Sequence, residues 1–279
     1  MTALIVSAYV AFLSTGLLAA VALVFHFRDR RVDWTRHVRQ LLARPWTGRD
    51  AGLLAAVLAG LLALALASRT LIARLSRPAG AGPAATTMMV VQSIIFDWMG
   101  LAAIAALLAR RRWPWRDAFG LETRGLFRNL GLGLLFYLAT MPFFWFYSTL
   151  YQLGLKWLGM DPTLQEVAAA ITAGGSFWVR IYLMTLAVVI APVFEEFLFR
   201  GILLPAVARQ YGVGRAVILT SLAFAAIHFH LPSFAPLFLM ATAFALAYLY
   251  SESILVPVVM HSVFNAVNLG LLTMLRDAL

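Results

Sequence analysis

Cysteine is absent from all 279 residues. That excludes a thiol nucleophile, a cysteine-ligated zinc or iron–sulfur centre, and any disulfide framework. Charge is scarce: Asp, Glu, Lys and Arg together make up 12% of the chain, about half the share of an ordinary soluble domain. Period-two alternation of apolar and polar residues is missing from the long apolar runs, which excludes a transmembrane barrel. No basic residue precedes the first run and no small-residue cleavage pattern follows it, so it reads as a retained span and not as a cleaved signal peptide. No internal repeat is visible.

What is present is apolar. The residues AVILMFWYC make up 62% and the mean hydropathy is +0.86. A water-soluble sphere of this size cannot be covered with so little polar surface. Disorder, a coiled coil and a normal cytosolic enzyme are excluded. The expected fold is all-α, a polytopic transmembrane helical bundle of about eight spans with its catalytic core in the C-terminal half. A span needs about 20 apolar residues, and eight runs qualify or nearly so: 3–27, 51–67, 88–109, 130–151, 179–204, 216–230, 235–251 and 254–275. Two parts are expected, an N-terminal membrane region over 1–112 and a core over 113–279. Arg77–Thr87 and Gly174–Gly175–Ser176 read as flexible loops, and the aromatic, arginine-rich stretch 113–129 as an amphipathic piece on the membrane surface.

The formal net charge is +10. Most cations flank apolar runs and no basic stretch is interleaved with stacking aromatics, so they are topology signals and nucleic acid is not an expected partner. With eight spans, 15 arginines fall in one set of loops: Arg28, Arg30, Arg31, Arg36, Arg39, Arg44, Arg49, Arg110, Arg111, Arg112, Arg116, Arg124, Arg128, Arg209 and Arg215. Six basic residues fall in the other set. The positive-inside rule puts the first set in the cytoplasm and both termini outside.

Ionisable groups inside spans cost about 2.5–3.5 kcal/mol each on insertion scales and persist when paired, hydrated or used. The list is short: Asp97, Glu195, Glu196, Arg200, His228, His230 and His261, with Asn265 as an uncharged polar neighbour. Glu196 and Arg200 are four apart and share a helix face, in the favourable order. Glu195 lies about 100° around the helix, so Arg200 neutralises Glu196 and leaves Glu195 free for chemistry. The bland alternative is one ion-pair network. Pro192 removes a backbone donor just before the pair and is expected to kink the helix. Phe224 and His228 share a face, as do His261 and Asn265. Each histidine taken alone reads equally as an interhelical hydrogen bonder. Together a free carboxylate, two imidazoles and an amide form a set that can activate water and stabilise an oxyanion. Sequence depth puts Glu195 and His261 in the cytoplasmic halves of their spans and His228 more distal.

The elements Glu195-Glu196-x-x-x-Arg200, Phe224-x-x-x-His228 and His261-x-x-x-Asn265 resemble, in order and spacing, the three signature motifs of the CPBP (Abi) family of intramembrane proteases, relatives of the CAAX-prenyl endopeptidase. The resemblance covers about 120–270 and none of 1–112. It implies an integral membrane endopeptidase in which Glu195 is the base acting on a water, His228 its partner, His261 and Asn265 the stabilisers, and Glu196–Arg200, with Phe224, the support. His230 and Asp97 have no assigned role. No cofactor is expected; zinc is the alternative, disfavoured by the lack of a His-Glu-x-x-His helix and by the rarity of amide ligands to zinc. The chemistry requires a hydrated pocket, which the cytoplasmic depth of Glu195 would open to the cytoplasm. Expected partners are membrane lipid and a peptide or membrane-anchored protein substrate. The expected location is a cell membrane, from composition a bacterial inner membrane. Two alternatives from other classes remain: a transporter with a buried Glu/His proton relay, and a non-catalytic immunity or scaffold protein. The first lacks inverted repeats and paired broken helices; the second is at odds with intact motifs.

Overall fold

Apolar runs that cannot hydrogen-bond to water become helices throughout, since a helix satisfies its own backbone. The structure is a computed structural model that describes residues 2–29, 32–75, 88, 90–121, 125–160, 163 and 176–278. The expected loops at 77–87 and 174–175 lie outside the described residues, as do Arg30, Arg31 and Arg124. The helices are α1 (Thr2–Asp29), α2 (Trp34–Leu42), α3 (Gly48–Leu75), α4 (Val90–Arg111), α5 (Trp115–Phe119), α6 (Leu126–Trp157), α7 (Phe177–Tyr211), α8 (Val213–Ala226), α9 (Leu231–Ser251) and α10 (Leu255–Ala278). Among the described residues seven are long and apolar enough to cross a membrane: α1, α3, α4, α6, α7, α9 and α10. The protein is an all-α, multi-pass membrane protein.

The sixth expected span differs. α8 starts earlier than expected and stops at Ala226, a length of roughly 21 Å at 1.5 Å per residue, short of the hydrocarbon thickness. The chain then leaves helical geometry: Phe229 has φ +47° and His230 is extended. Pro232 opens α9 at its first turn, where its missing N–H costs nothing. His228 therefore sits in a turn beyond the helix and not inside a span.

α8 nevertheless connects the two ends of the bundle. At one end Arg44 donates to the carbonyls of Arg116 (3.1 Å), Asp117 (3.2 Å) and Glu252 (2.5 Å). Arg209 donates to the carbonyls of Leu42 (2.9 Å) and Arg44. His37 meets Glu252 at 2.8 Å, and Asn129 donates to Ser253 at 3.1 Å. The four connections before α3, between α4 and α6, after α7 and after α9 thus meet at a single end, the one carrying the larger arginine set. At the other end Tyr151 donates to the Leu231 carbonyl (2.8 Å) and Gln152 to that of Pro232 (2.7 Å). Among the described residues Arg36, Arg44, Arg116 and Arg209 of the larger arginine set meet at one end.

Part of the stretch after α4 packs inward, while Pro114–Asp117 and Gly125–Arg128 are exposed. Ala118 and Phe119 are fully buried, and Trp46 Nε1 donates to the Ala118 carbonyl at 3.0 Å. Phe119 packs on Phe197 with ring centroids 4.5 Å apart, and a Cβ on Gly201 would strike the Phe119 ring. The chain turns at Gly120, whose φ of +70° and contact with the Glu252 carbonyl leave no room for a side chain. A polar cavity of about 450 Å³ at this end is lined by Arg44, Arg116, Arg128, Asn129 and Glu252 among others.

The first 112 residues pack onto the rest. Gly16 on α1 lies against Leu138 and Pro142 of α6, and Gly100 on α4 against the ring of Phe194 on α7.

Candidate active site

α7 carries all three motif carboxylate and arginine positions, Glu195, Glu196 and Arg200, on a helix that is repeatedly widened. Leu186–Ile190 and Phe197–Leu203 are π-helical, and each stretch precedes a proline, Pro192 or Pro205. π-Turns of this sort recur at functional sites. The first has a traceable cause. The Ala191 N–H bonds the Leu186 carbonyl, so the next carbonyl in that pattern, Ala187, would need an N–H from residue 192, which is proline. Asn265 supplies the missing donor: its Nδ2 lies 2.7 Å from the Ala187 oxygen. A carbonyl can only accept, so the amide orientation follows from the contact. One amide hydrogen of Asn265 is committed to the backbone and the other remains.

Glu196 and Arg200 pair as expected, with Arg200 Nη1 to Glu196 Oε1 at 2.9 Å and exposures of 0% for Glu196 and 2% for Arg200. Arg200 also donates from Nη2 to the Ala241 carbonyl at 2.9 Å. Its guanidinium lies over the rings of Phe224 (4.6 Å) and Phe244 (5.2 Å). A charge this deep persists because it is hydrogen-bonded and packed against π faces.

His261 joins the two glutamates. Nδ1 is 2.9 Å from Glu196 Oε1, and Nε2 is 3.8 Å from Glu195 Oε2. Its ring stacks on Phe244 at 5.0 Å and 26°. Glu196 is thus engaged by both Arg200 and His261, while Glu195 is partly open, with 18% of its side chain exposed. The two adjacent carboxylates thus differ in their partners, as the i, i+4 spacing of Glu196 and Arg200 leads one to expect.

His228 donates from Nδ1 to the Phe224 carbonyl at 2.7 Å, since that carbonyl can only accept. Its Nε2 is left facing away from that bond. Its ring is 4.9 Å from Phe224, which in turn is 5.8 Å from His261. Phe224 is the wedge between the two imidazoles. The structure therefore brings Glu195, Glu196, Arg200, Phe224 and His261 into one cluster. His228 flanks it across Phe224, and Asn265 lies one turn along α10 from His261. His230 has a local role: Nδ1 is 2.5 Å from Ser233 Oγ and Nε2 is 3.1 Å from Thr163 Oγ1.

Sequence reasoning missed two contributors. Phe244 stacks on His261 and Arg200 but is one phenylalanine among 20, with no motif to mark it. Ala241 acts through its carbonyl, which is invisible to side-chain reading. Asp97 was noticed without a role. α4 approaches α7 through a T-shaped Phe96–Phe194 contact at 5.9 Å, and Asp97 lies within electrostatic reach of Glu195. No group of three or more His, Asp or Glu among the described residues is arranged to hold a metal ion.

Residues 176–267 match the family model described as Type II CAAX prenyl endopeptidase Rce1-like. The match includes all three motifs, agrees with the resemblance they carry, and supports an intramembrane endopeptidase at the general level. No curated protein and no solved structure matches the chain.

Proposed function

We propose that the protein hydrolyses peptide bonds of a membrane-associated peptide or membrane-anchored protein, with Glu195 as the base that activates water. The observation that carries this reading is the contrast between two adjacent carboxylates. Glu196 is 0% exposed and held by Arg200 and His261, whereas Glu195 is 18% exposed and faces His261 Nε2. A second carboxylate in an apolar bundle, outside the Glu196–Arg200 pair and meeting His261 Nε2 only at 3.8 Å, is costly unless it is used.

In the proposed step Glu195 takes a proton from water as the oxygen attacks the scissile carbonyl carbon. The developing oxyanion is met by the uncommitted amide hydrogen of Asn265 and by Nε2–H of His261 in its imidazolium form, its Nδ1–H being committed to Glu196, with His228 as the partner of the base. The proton then passes to the leaving amine as the C–N bond breaks. Glu196 and Arg200 set the orientation of His261 through its Nδ1, so they position the site without touching substrate. Glutamate catalysis without a metal is favoured by the donor set, because Glu196 is already bound by a guanidinium and by the Nδ1 of His261. The setting is a cell membrane, by composition a bacterial inner membrane.

The test is Glu195→Gln in purified protein, assayed on a quenched peptide in detergent or vesicles. Loss of a general base lowers the rate by about 10²–10⁴-fold. Retained activity would remove Glu195 from the mechanism. Exhaustive chelation with EDTA or phenanthroline is expected to leave the wild-type rate unchanged; loss with recovery on adding zinc would establish a metal mechanism instead.

A further inference from the structure

We propose that Asp97, in the region without a family match, is a positioning residue of the active centre, its carboxyl paired with that of Glu195 so that the two hold one proton between them. The role as partner to a base rests on the peptidase reading; the pairing of the two carboxyls does not.

The faces of α4 decide where Asp97 sits. Ile94, Trp98 and Met99 are exposed on the apolar outside of the bundle. Val91 and Ile95 join Leu58, Leu61 and Ala65 of α3 in one apolar cluster. The remaining face meets α7. Ser93 Oγ lies 2.7 Å from the Tyr182 hydroxyl. Phe96 meets Phe194 at 5.9 Å, and a Cβ on Gly100 would strike the Phe194 ring. Asp97 is four residues after Ser93 and three before Gly100, the spacing of a shared helix face.

The turn that carries Asp97, Ile94–Trp98, is π-helical, with the Met99 N–H bonded to the Ile94 carbonyl. It packs directly on Ala191–Glu196, the segment that carries Glu195. Unlike the widened turns of α7, it precedes no proline within its helix, so a missing backbone donor does not account for it. π-Turns recur at functional sites, and this one sets a carboxyl against the segment of the base.

Charge then fixes what the two carboxyls must do. Asp97, Glu195 and Glu196 stand in this region with two groups able to carry the opposite sign, Arg200 and His261. Glu196 takes the near contacts of both, at 2.9 Å each. Glu195 has His261 Nε2 at 3.8 Å, and no ion pair among the described residues includes Asp97. Of the elements packed on the turn, α3 presents only apolar side chains in the cluster above. α7 presents Tyr182 and Glu195, and Asp97 lies within electrostatic reach of Glu195. Two ionised carboxylates set together in an apolar bundle repel, and one proton shared between them removes the repulsion. Glu195 Oε2 is buried without a hydrogen-bond partner, and a protonated Asp97 brings an O–H donor to the same helix contact. With the proton on Asp97, Glu195 is the ionised member. In the hydrolytic step Glu195 takes a proton from water and passes it to the leaving amine, while Asp97 keeps its own.

The test is labelling of the full chain in detergent with dicyclohexylcarbodiimide, an apolar reagent that modifies protonated carboxyls, read by mass spectrometry of the peptides from α4 and α7 across a pH series. In the wild type Asp97 is expected to be modified at neutral pH. In Glu195→Gln the like charge is gone. Asp97 labelling is then expected to fall about tenfold at neutral pH and to fade about one pH unit lower or more, the size of effect that marks a coupled pair. Glu195→Asp restores the second carboxyl and should restore the labelling. Should Glu195→Gln fail to accumulate, Glu195→Ala is read in its place. Equal labelling of Asp97 in Glu195→Gln and the wild type overturns the pairing, as does an unmodified Asp97 in the wild type. Loss in Glu195→Asp as well would make the effect one of packing and overturn it too. Labelling needs no turnover, so it fails or succeeds separately from the peptide assay of Glu195→Gln.

Discussion

At the scale of single residues, the cluster separates groups that hold the fold from groups free to react. Arg200 belongs to the first kind. Its guanidinium bonds Glu196 and the Ala241 carbonyl at once and rests on two phenylalanine faces. Removing one partner of a buried pair leaves an uncompensated charge and costs about 3–5 kcal/mol. Arg200→Met is therefore expected to lower stability by that order, read as a drop in denaturant or thermal midpoint in detergent. Arg200→Lys should recover only part of it, because a single ammonium cannot reproduce the planar fork. Glu195→Gln should leave the midpoint nearly unchanged while abolishing turnover. A large stability loss at Glu195 would mean that its carboxylate is structural after all.

At the scale of elements, α7 shows how a proline and a distant amide complete each other. Pro192 orphans the Ala187 carbonyl and Asn265 on α10 satisfies it, at 2.7 Å. Asn265→Leu is expected to cost about 0.5–1.5 kcal/mol for the lost bond, or somewhat more for the carbonyl left unpaired. In Pro192→Ala the chain regains an N–H that can serve Ala187. The cost of Asn265→Leu should then shrink, a coupling on the order of 0.5 kcal/mol or more in a double-mutant cycle. Strict additivity would show that the two residues act independently. This linkage also bears on the chemistry. The amide proposed to meet the oxyanion is held in place by a kink in the helix that carries the base.

At the scale of the whole molecule, one arginine gathers the connections. Arg44, in the segment between α2 and α3, bonds backbone carbonyls at Arg116, Asp117 and Glu252, and Arg209 closes back on the carbonyls beside it. The region without a family match thereby seals the matched region at one end. Arg44→Ala removes three bonds to carbonyls and is expected to destabilise the protein by about 1–3 kcal/mol. Protease accessibility of the stretch after α4 should rise in intact inside-out vesicles. If neither midpoint nor cleavage moves, the N-terminal region is an addition that merely rests on the core.

The sequence by itself determined the medium, the helical class, the gathering of arginines at the ends of the apolar runs and the split between Glu195 and Glu196. All four follow from chemistry that is local or cumulative along the chain: apolar runs long enough to cross lipid, cations stalled at their ends, and the i, i+4 geometry of a helix. Only the tertiary structure decided how α8 ends, that Phe244 and the Ala241 carbonyl belong to the cluster, that Asn265 mends the break made by Pro192, and that Ala118 and Phe119 after α4 are buried, Phe119 against Phe197 of α7. Those depend on contacts between helices far apart in the chain. An apolar side chain or a backbone carbonyl carries no mark in the sequence of what will be placed against it.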